Sequence, residues 1–176
     1  MRKSKNKQFV EEARAFARGA HRGQTYGDGS SYFGTHLADV ANVLEEFGFT
    51  AVEFPEIMAA GWLHDVVEDT PCSLDSVHGA FGPVVADIVW RVTEGTNRRE
   101  RHERTYPKLN ANRDAVIVKL ADRIANVRRS VKATSKEGKL DMYQKEWLEF
   151  QAALRIDSDA REVPLWLELD RLLSGS

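Results

Sequence analysis

Ten residues, Gly61-Trp62-Leu63-His64-Asp65-Val66-Val67-Glu68-Asp69-Thr70, constrain this chain more than any other stretch. Four ionisable side chains fall within the six positions 64–69, beside apolar residues that belong in a core. A buried, unpaired charge costs several kcal/mol, so such a cluster needs a partner, and a divalent metal is the obvious one. On a helix His64 and Asp65 point about 100° apart, close enough to grip one ion from two sides. Glu68 and Asp69 follow one turn later, each four residues beyond one member of that pair. The polar groups then share one side of a helix whose other side is Trp62, Leu63, Val66 and Val67. That helix is expected to end at Thr70-Pro71, because proline disfavours helical backbone in the residue before it.

The remaining periodicity is helical. Phe9, Val10, Ala13, Phe16 and Ala17 predict a helix over residues 8–20 that runs into His21 and stops at Arg22-Gly23. A loop with Gly27, Gly29 and Gly34 follows, and Thr35 is the expected N-cap of a second helix carrying His36 in its first turn. Val40, Val43, Leu44 and Phe47 give its apolar face and Gly48 ends it. A third helix starts near Pro55 and enters the stretch above. Ser73 caps a fourth, through Leu74, Val77 and Phe81; Gly82-Pro83 restarts it, and Val84, Val85, Ile88, Val89 and Val92 continue it to Glu94-Gly95. The run from 98 to 104 is almost wholly polar, either a solvated face or an anion-attracting lid. Residues 114–131 read as a long amphipathic helix whose apolar side is interrupted by Asp122, with Asn126 four positions on. A buried aspartate there needs a cation or hydrogen-bond donors. Residues 140–154 and 163–173 read as two further helices with Trp147, Phe150, Trp166 and Leu169 inward. No repeat or hairpin-like strand pair interrupts this pattern, so the expected class is all-α.

At 176 residues the chain is expected to be a single domain with a core that needs no disulfide staple. A net charge of −2 argues against a nucleic-acid polymer as partner, while leaving room for a local basic pocket for a small anion. The single cysteine, Cys72, cannot form an internal disulfide and fits a reducing cytoplasm. No apolar run reaches the roughly 18 residues of a membrane span and no signal-peptide pattern follows Met1, so no membrane is expected as partner.

His36, His64, Asp65 and Asp122 make a candidate ligand set of imidazoles and carboxylates, suited to Mn²⁺, Fe²⁺, Zn²⁺ and similar ions more than to Mg²⁺ or Ca²⁺. Such an ion acidifies a bound water and polarises a phosphoryl oxygen. Cationic neighbours, Lys119 and Arg123 among them, would neutralise the charge that develops. Glu68 and Asp69 are then left to orient or deprotonate the water, or to protonate the leaving oxygen. Metal-dependent phosphoester hydrolysis is the leading reaction class.

At these residues the chain resembles the HD-superfamily metal phosphohydrolases, and more narrowly the hydrolase domain of RelA/SpoT-type alarmone enzymes in their small single-domain form. The similarity is carried by His21-Arg22-Gly23-Gln24, His36, the block from His64 to Thr70, Phe81-Gly82, Val92-Thr93, Val118-Lys119-Leu120-Ala121-Asp122-Arg123 with Asn126, and Met142-Tyr143-Gln144-Lys145-Glu146. It spans residues 8–155, and residues 156–176 either complete the bundle as a C-terminal helix or support a homodimer. The resemblance implies a helical bundle holding one Mn²⁺ on His36, His64, Asp65 and Asp122, a catalytic pair Glu68 and Asp69, and a substrate side formed by Arg22, Tyr26, Lys119, Arg123 and Asn126. The implied reaction removes the 3′-pyrophosphate of ppGpp or a related small nucleotide. The alternatives are an HD-type phosphatase on another nucleotide, such as a nucleotidase or an NADPH 2′-phosphatase, and a non-catalytic metal or nucleotide sensor. Two departures stand out. The family's basic pair after the glutamine is Thr25-Tyr26 here, so that Tyr26 is a candidate to stack on a base, guanine or adenine. The family's Tyr-x-x-His-Pro becomes Tyr32-Phe33-Gly34-Thr35-His36-Leu37, with either one extra residue before the histidine or Phe33 in the tyrosine's place.

Overall fold

The computed structural model describes residues 2–26, 28–93, 98–132, 139–156 and 159–174. In chain order its helices are α1 (Arg2–Ala20), α2 (Ala38–Glu46), α3 (Pro55–Leu63), α4 (Val66–Asp69), α5 (Leu74–Val92), α6 (Arg98–Glu100), α7 (Tyr106–Asn110), α8 (Arg113–Lys132), α9 (Leu140–Leu154) and α10 (Val163–Leu173). Two π-helical turns, Phe33–Leu37 and Arg101–Thr105, lead directly into α2 and α7. Among the described residues the β-type pairing is an isolated bridge between Thr25 and Ser31, so the class is all-α.

Two helices make the centre. In α3 every residue from Ile57 to Leu63 is buried, and in α8 every residue from Ala115 to Ala125. A helix enclosed on all sides has no solvent face to turn outward, so its neighbours must surround it. Around α3 pack α1, α2, α5 and α8; around α8 pack α2, α3, α5, α7, α9 and α10. The amphipathic helices supply the shell. Val10, Ala13 and Ala17 are the buried stripe of α1 against this core, and Trp147 and Phe150 of α9 meet Trp166 of α10. The end of the chain is tied to α8 as well. Arg113 Nε donates to the fully buried Glu162 at 2.6 Å, and Arg128 joins Glu46 of α2 to Glu168 of α10.

Gly61 marks the closest approach of α3 to α2. A Cβ there would lie 2.5 Å from Cδ1 of Leu44, which is itself fully buried. Gly61→Ala gains about 1 kcal/mol of helix propensity but overpacks the core at a cost of roughly 1–3 kcal/mol. The expected result is a net loss of about 1 kcal/mol, read as a lower urea midpoint at unchanged slope. A more stable variant would mean that Leu44 can rotate aside.

Most punctuation falls where the sequence puts it. Ser73 Oγ accepts from the Ser76 amide at 3.2 Å, Gly48 ends α2 at φ 89°, and Gly82 at φ 82° breaks α5 before Pro83 restarts it. Three details differ. The first helix begins at Arg2 instead of residue 8, since nothing in the basic start breaks a helix. Thr35 is not an N-cap; it lies inside the first π-helical turn, its amide donating to the Ser31 carbonyl. Val84 is 53% exposed because, after the break at Gly82, Val85, Ile88, Val89 and Val92 carry the inner face. The run from 98 is helical, anchored by the buried Thr105 and Tyr106. Gly27, Glu94-Gly95, and residues 157, 158, 175 and 176 of the C-terminal stretch lie outside the described residues. Among those described, no helix is long and apolar enough to cross a membrane.

Candidate active site

The stretch 61–70 is not one helix. α3 ends at Leu63, the chain turns at His64 and Asp65 (φ −96°, ψ −3°), and α4 begins at Val66. Adjacent residues on a regular helix diverge by about 100°. The turn relaxes that limit and brings His64 Nε2 and Asp65 Oδ2 to 3.0 Å. Asp69 stays in register through its amide, 2.8 Å from the Asp65 carbonyl.

His36 comes from the π-helical turn before α2. Its Nε2 lies 3.1 Å from His64 Nε2, 3.2 Å from Asp65 Oδ2 and 3.4 Å from Asp122 Oδ1. Asp122, from the middle of α8, is 3.9 Å from His64 Nε2. The donor atoms of His36, His64 and Asp65 all fall within 4.8 Å of one another, a group that could hold a metal ion. His64 Nδ1 sits 2.9 Å from the Gly61 carbonyl. An N–H donated there leaves the Nε2 lone pair aimed into the cluster, the arrangement a ligating histidine needs. Asp122 is held in turn by Lys119 Nζ at 2.8 Å and Asn126 Nδ2 at 2.6 Å. The charges agree with a cation site. Burial pushes the His64 imidazole down, but Asp65, Asp122 and the Gly61 carbonyl together outweigh it and raise the ring to about 9, so that a proton on the ring stands in for the cation this cluster calls for. Burial likewise opposes ionisation of Asp65, yet the histidines hold it well below the usual carboxylate range. The buried Asp122 and the partly buried Asp65 thus remain anionic around two imidazole nitrogens, and a divalent ion satisfies that donor set.

Tyr32 joins the cluster unforeseen. Its hydroxyl donates to Asp65 Oδ2 at 2.5 Å, and its ring lies between His21 and His36, each with centroid 5.2 Å away. Burial and the adjacent Asp65 push its phenol far above the ordinary tyrosine value, so it remains a donor. Phe33 instead stacks on Trp62 at 5.4 Å. Tyr32 and not Phe33 thus reaches the site, and the wider π-helical turn keeps Tyr32 and His36 on it together. Sequence periodicity carries no signal for a π turn.

Above the cluster opens a cleft of about 390 Å³. His36, Asp65 and Asp122 lie at its base, while Glu68 and Asp69, both exposed, line it from α4. Tyr26, Lys119, Arg123 and Asn126 also line it; His64 is buried behind its wall, and the exposed Arg22 is not among the lining residues. Four further wall residues were given no place in the site by the sequence: Arg101, from the run read as a solvated face or an anion-attracting lid, Tyr143 and Glu146, from the motif at 142–146, and Lys139. Arg101 pairs with Glu146 at 3.0 Å, and the buried Arg123 guanidinium lies 4.2 Å from the Phe150 ring and 3.6 Å from Glu146.

The family model described as HD domain matches residues 13–154. This chain belongs to the HD-domain family. Membership implies a divalent metal, in keeping with the His36, His64 and Asp65 group. Among its relatives is the bifunctional (p)ppGpp synthase/hydrolase SpoT of Escherichia coli K12, 33% identical over 128 residues, covering 68% of this chain and 18% of that protein. The HD domain thus spans under a fifth of the length of that bacterial relative. The guanosine-3′,5′-bis(diphosphate) 3′-pyrophosphohydrolase MESH1 of Danio rerio is 34% identical over 119 residues, 64% of each chain. A solved structure of a metazoan SpoT ortholog that hydrolyses ppGpp superposes with a TM-score of 0.75 at 27% identity, covering 94% of both chains.

Proposed function

We propose that this protein is a single HD domain that hydrolyses ppGpp, or its adenine counterpart ppApp, at the 3′ position and releases pyrophosphate. The observation that carries the reading is the tyrosine-lined cleft, with Arg101, Lys119, Arg123 and Lys139 on its walls, that opens onto His36, Asp65 and Asp122 and bears two exposed carboxylates. The ligands are His36, His64, Asp65 and Asp122, and the imidazole and carboxylate mixture suits Mn²⁺. Once bound, the ion supplies Lewis acidity and a water of lowered pKa.

The chain's own side chains do the rest. Lys119, Arg123, Arg101 and Lys139 are the cations that the walls offer to the phosphates, and Asn126 holds Asp122 while adding a polar wall. Tyr26 offers a flat ring to the base, a contact that any base tolerates. Glu68 and Asp69 handle protons: one accepts a proton from water as the new P–O bond forms, and the other gives one to the 3′ oxygen as it leaves. The product pair is pyrophosphate and the 5′-diphosphate nucleotide. A cytoplasmic location, where such nucleotides and a free Cys72 thiol would both be found, goes with this reading.

The test is product analysis by anion exchange after metal-stripped protein and Mn²⁺ are incubated separately with ppGpp, ppApp and NADPH. Pyrophosphate from either alarmone, absent without metal, is the expected result. Orthophosphate from NADPH alone would move the protein to the phosphatase class, and no product from any of the three would refute the proposed substrates.

A further inference from the structure

Arg129, near the end of α8, touches the loop between α1 and α2 twice. Its guanidinium carbon lies 4.0 Å from the Tyr26 ring centroid, and its Nη2 meets Asp28 Oδ2 at 3.3 Å. That loop is closed on itself. The Tyr26 amide donates to the Ser30 carbonyl at 2.9 Å, the Tyr32 amide to the Gln24 carbonyl at 3.0 Å, and Asp28 Oδ1 accepts from both the amide and the hydroxyl of Ser30. The loop therefore presents Tyr26 and Tyr32 together, ring centroids 5.2 Å apart, on the cleft wall. Arg129 itself does not border the cleft; it lines a separate depression beyond it, with Asp39 and Lys132. Whatever it contributes to the cleft passes through Tyr26.

We propose that Arg129 is a positioning residue for nucleotide recognition, holding the Tyr26 ring in the wall where it stacks on the base. The inference rests on reading the cleft as a nucleotide site. The ion pair with Asp28 joins side chains 34% and 62% exposed, and an exposed pair of this kind holds the loop weakly. The contact with the half-buried Tyr26 ring carries more, because water competes less there. A ring held in place before binding does not have to be ordered by the nucleotide, so the gain falls on affinity. Glu68, Asp69, His64, Asp65 and Asp122 sit on elements other than this loop and His36 in the π-helical turn that follows it, so the chemical step is expected to be little changed.

Arg129→Met keeps the side-chain length and removes the charge. Its KM for the nucleotide rises roughly three- to tenfold with kcat held within about twofold. On a Tyr26→Ala background the same substitution adds nothing further to KM. Hydrogen exchange across 24–32 quickens in Arg129→Met while α8 exchanges as before, with or without substrate. Arg129→Lys, which keeps charge but not the planar group, falls between. A fall in kcat at constant KM, a further rise in KM on the Tyr26→Ala background, or unchanged loop exchange would each overturn the proposal. If the wild-type protein releases no product from any nucleotide, the proposed reaction is wrong, and the exchange measurement still decides whether Arg129 holds the loop.

Discussion

Asp65→Ala loses the divalent ion and all measurable turnover while the protein stays helical. Asp65 is where the cluster converges: its Oδ2 takes the Tyr32 hydroxyl at 2.5 Å and lies 3.2 Å from His36 and 3.0 Å from His64. Removing it leaves two imidazoles and Asp122, a set short of one anionic donor. Loss of a supporting hydrogen bond around a metal typically costs 10–100-fold in affinity, so loss of a carboxylate ligand is expected to exceed about a hundredfold. The fold survives because the packing that holds the bundle together does not depend on that carboxylate: Ile57 to Leu63 of α3 and Ala115 to Ala125 of α8 are buried among their neighbouring helices. Metal content after dialysis against Mn²⁺, with far-ultraviolet circular dichroism on the same sample, checks both halves. A variant that keeps one tightly held ion would remove Asp65 from the ligand set; one that unfolds would make its role structural.

The all-α class was legible because periodicity near 3.6 and the punctuation at Gly48, Ser73 and Gly82-Pro83 are local signals, readable without neighbours. The candidate metal residues were legible for a related reason. His64, Asp65 and Asp122 interrupt helices that are otherwise apolar, and a charge in such a place demands a partner. What stayed hidden depends on contacts between distant segments. The turn at His64 and Asp65 leaves no mark on the apolar pattern, since both α3 and α4 keep their buried residues on either side of it. The sequence left Tyr32 and Phe33 as alternatives for the family's tyrosine, and only the π-helical turn, with Tyr32 on Asp65 and Phe33 on Trp62, separates them. For Arg101 the sequence left a solvated face and an anion-attracting lid as alternatives, and Lys139 and Glu146 carried no sign of which side they face. Their place on the cleft comes from how α9 and the turn before α7 pack across α8, a long-range result that charge patterning does not encode.

Glu68→Gln keeps its metal and loses most of its rate, about 10²–10⁴-fold if the carboxylate transfers a proton in the slow step. The separation of the two effects follows from position. Glu68 and Asp69 lie on α4, one turn beyond Asp65, exposed and facing the cleft, whereas the ligand atoms of His36, His64 and Asp65 group among themselves. Glutamine occupies nearly the same volume and can still hold a water by hydrogen bonding, but it cannot accept the proton that water must lose. The loss therefore appears in kcat for pyrophosphate release, with Mn²⁺ stoichiometry and thermal midpoint unchanged. Asp69→Asn should behave in the same way. If the two carboxylates act as a unit, the double variant is barely slower than the slower single one, because the first substitution already disables the step that both serve. Independent effects that multiply would instead assign them to separate proton transfers. Full activity in Glu68→Gln would take the residue out of the chemistry and leave Asp69 as the sole candidate base on this wall of the cleft.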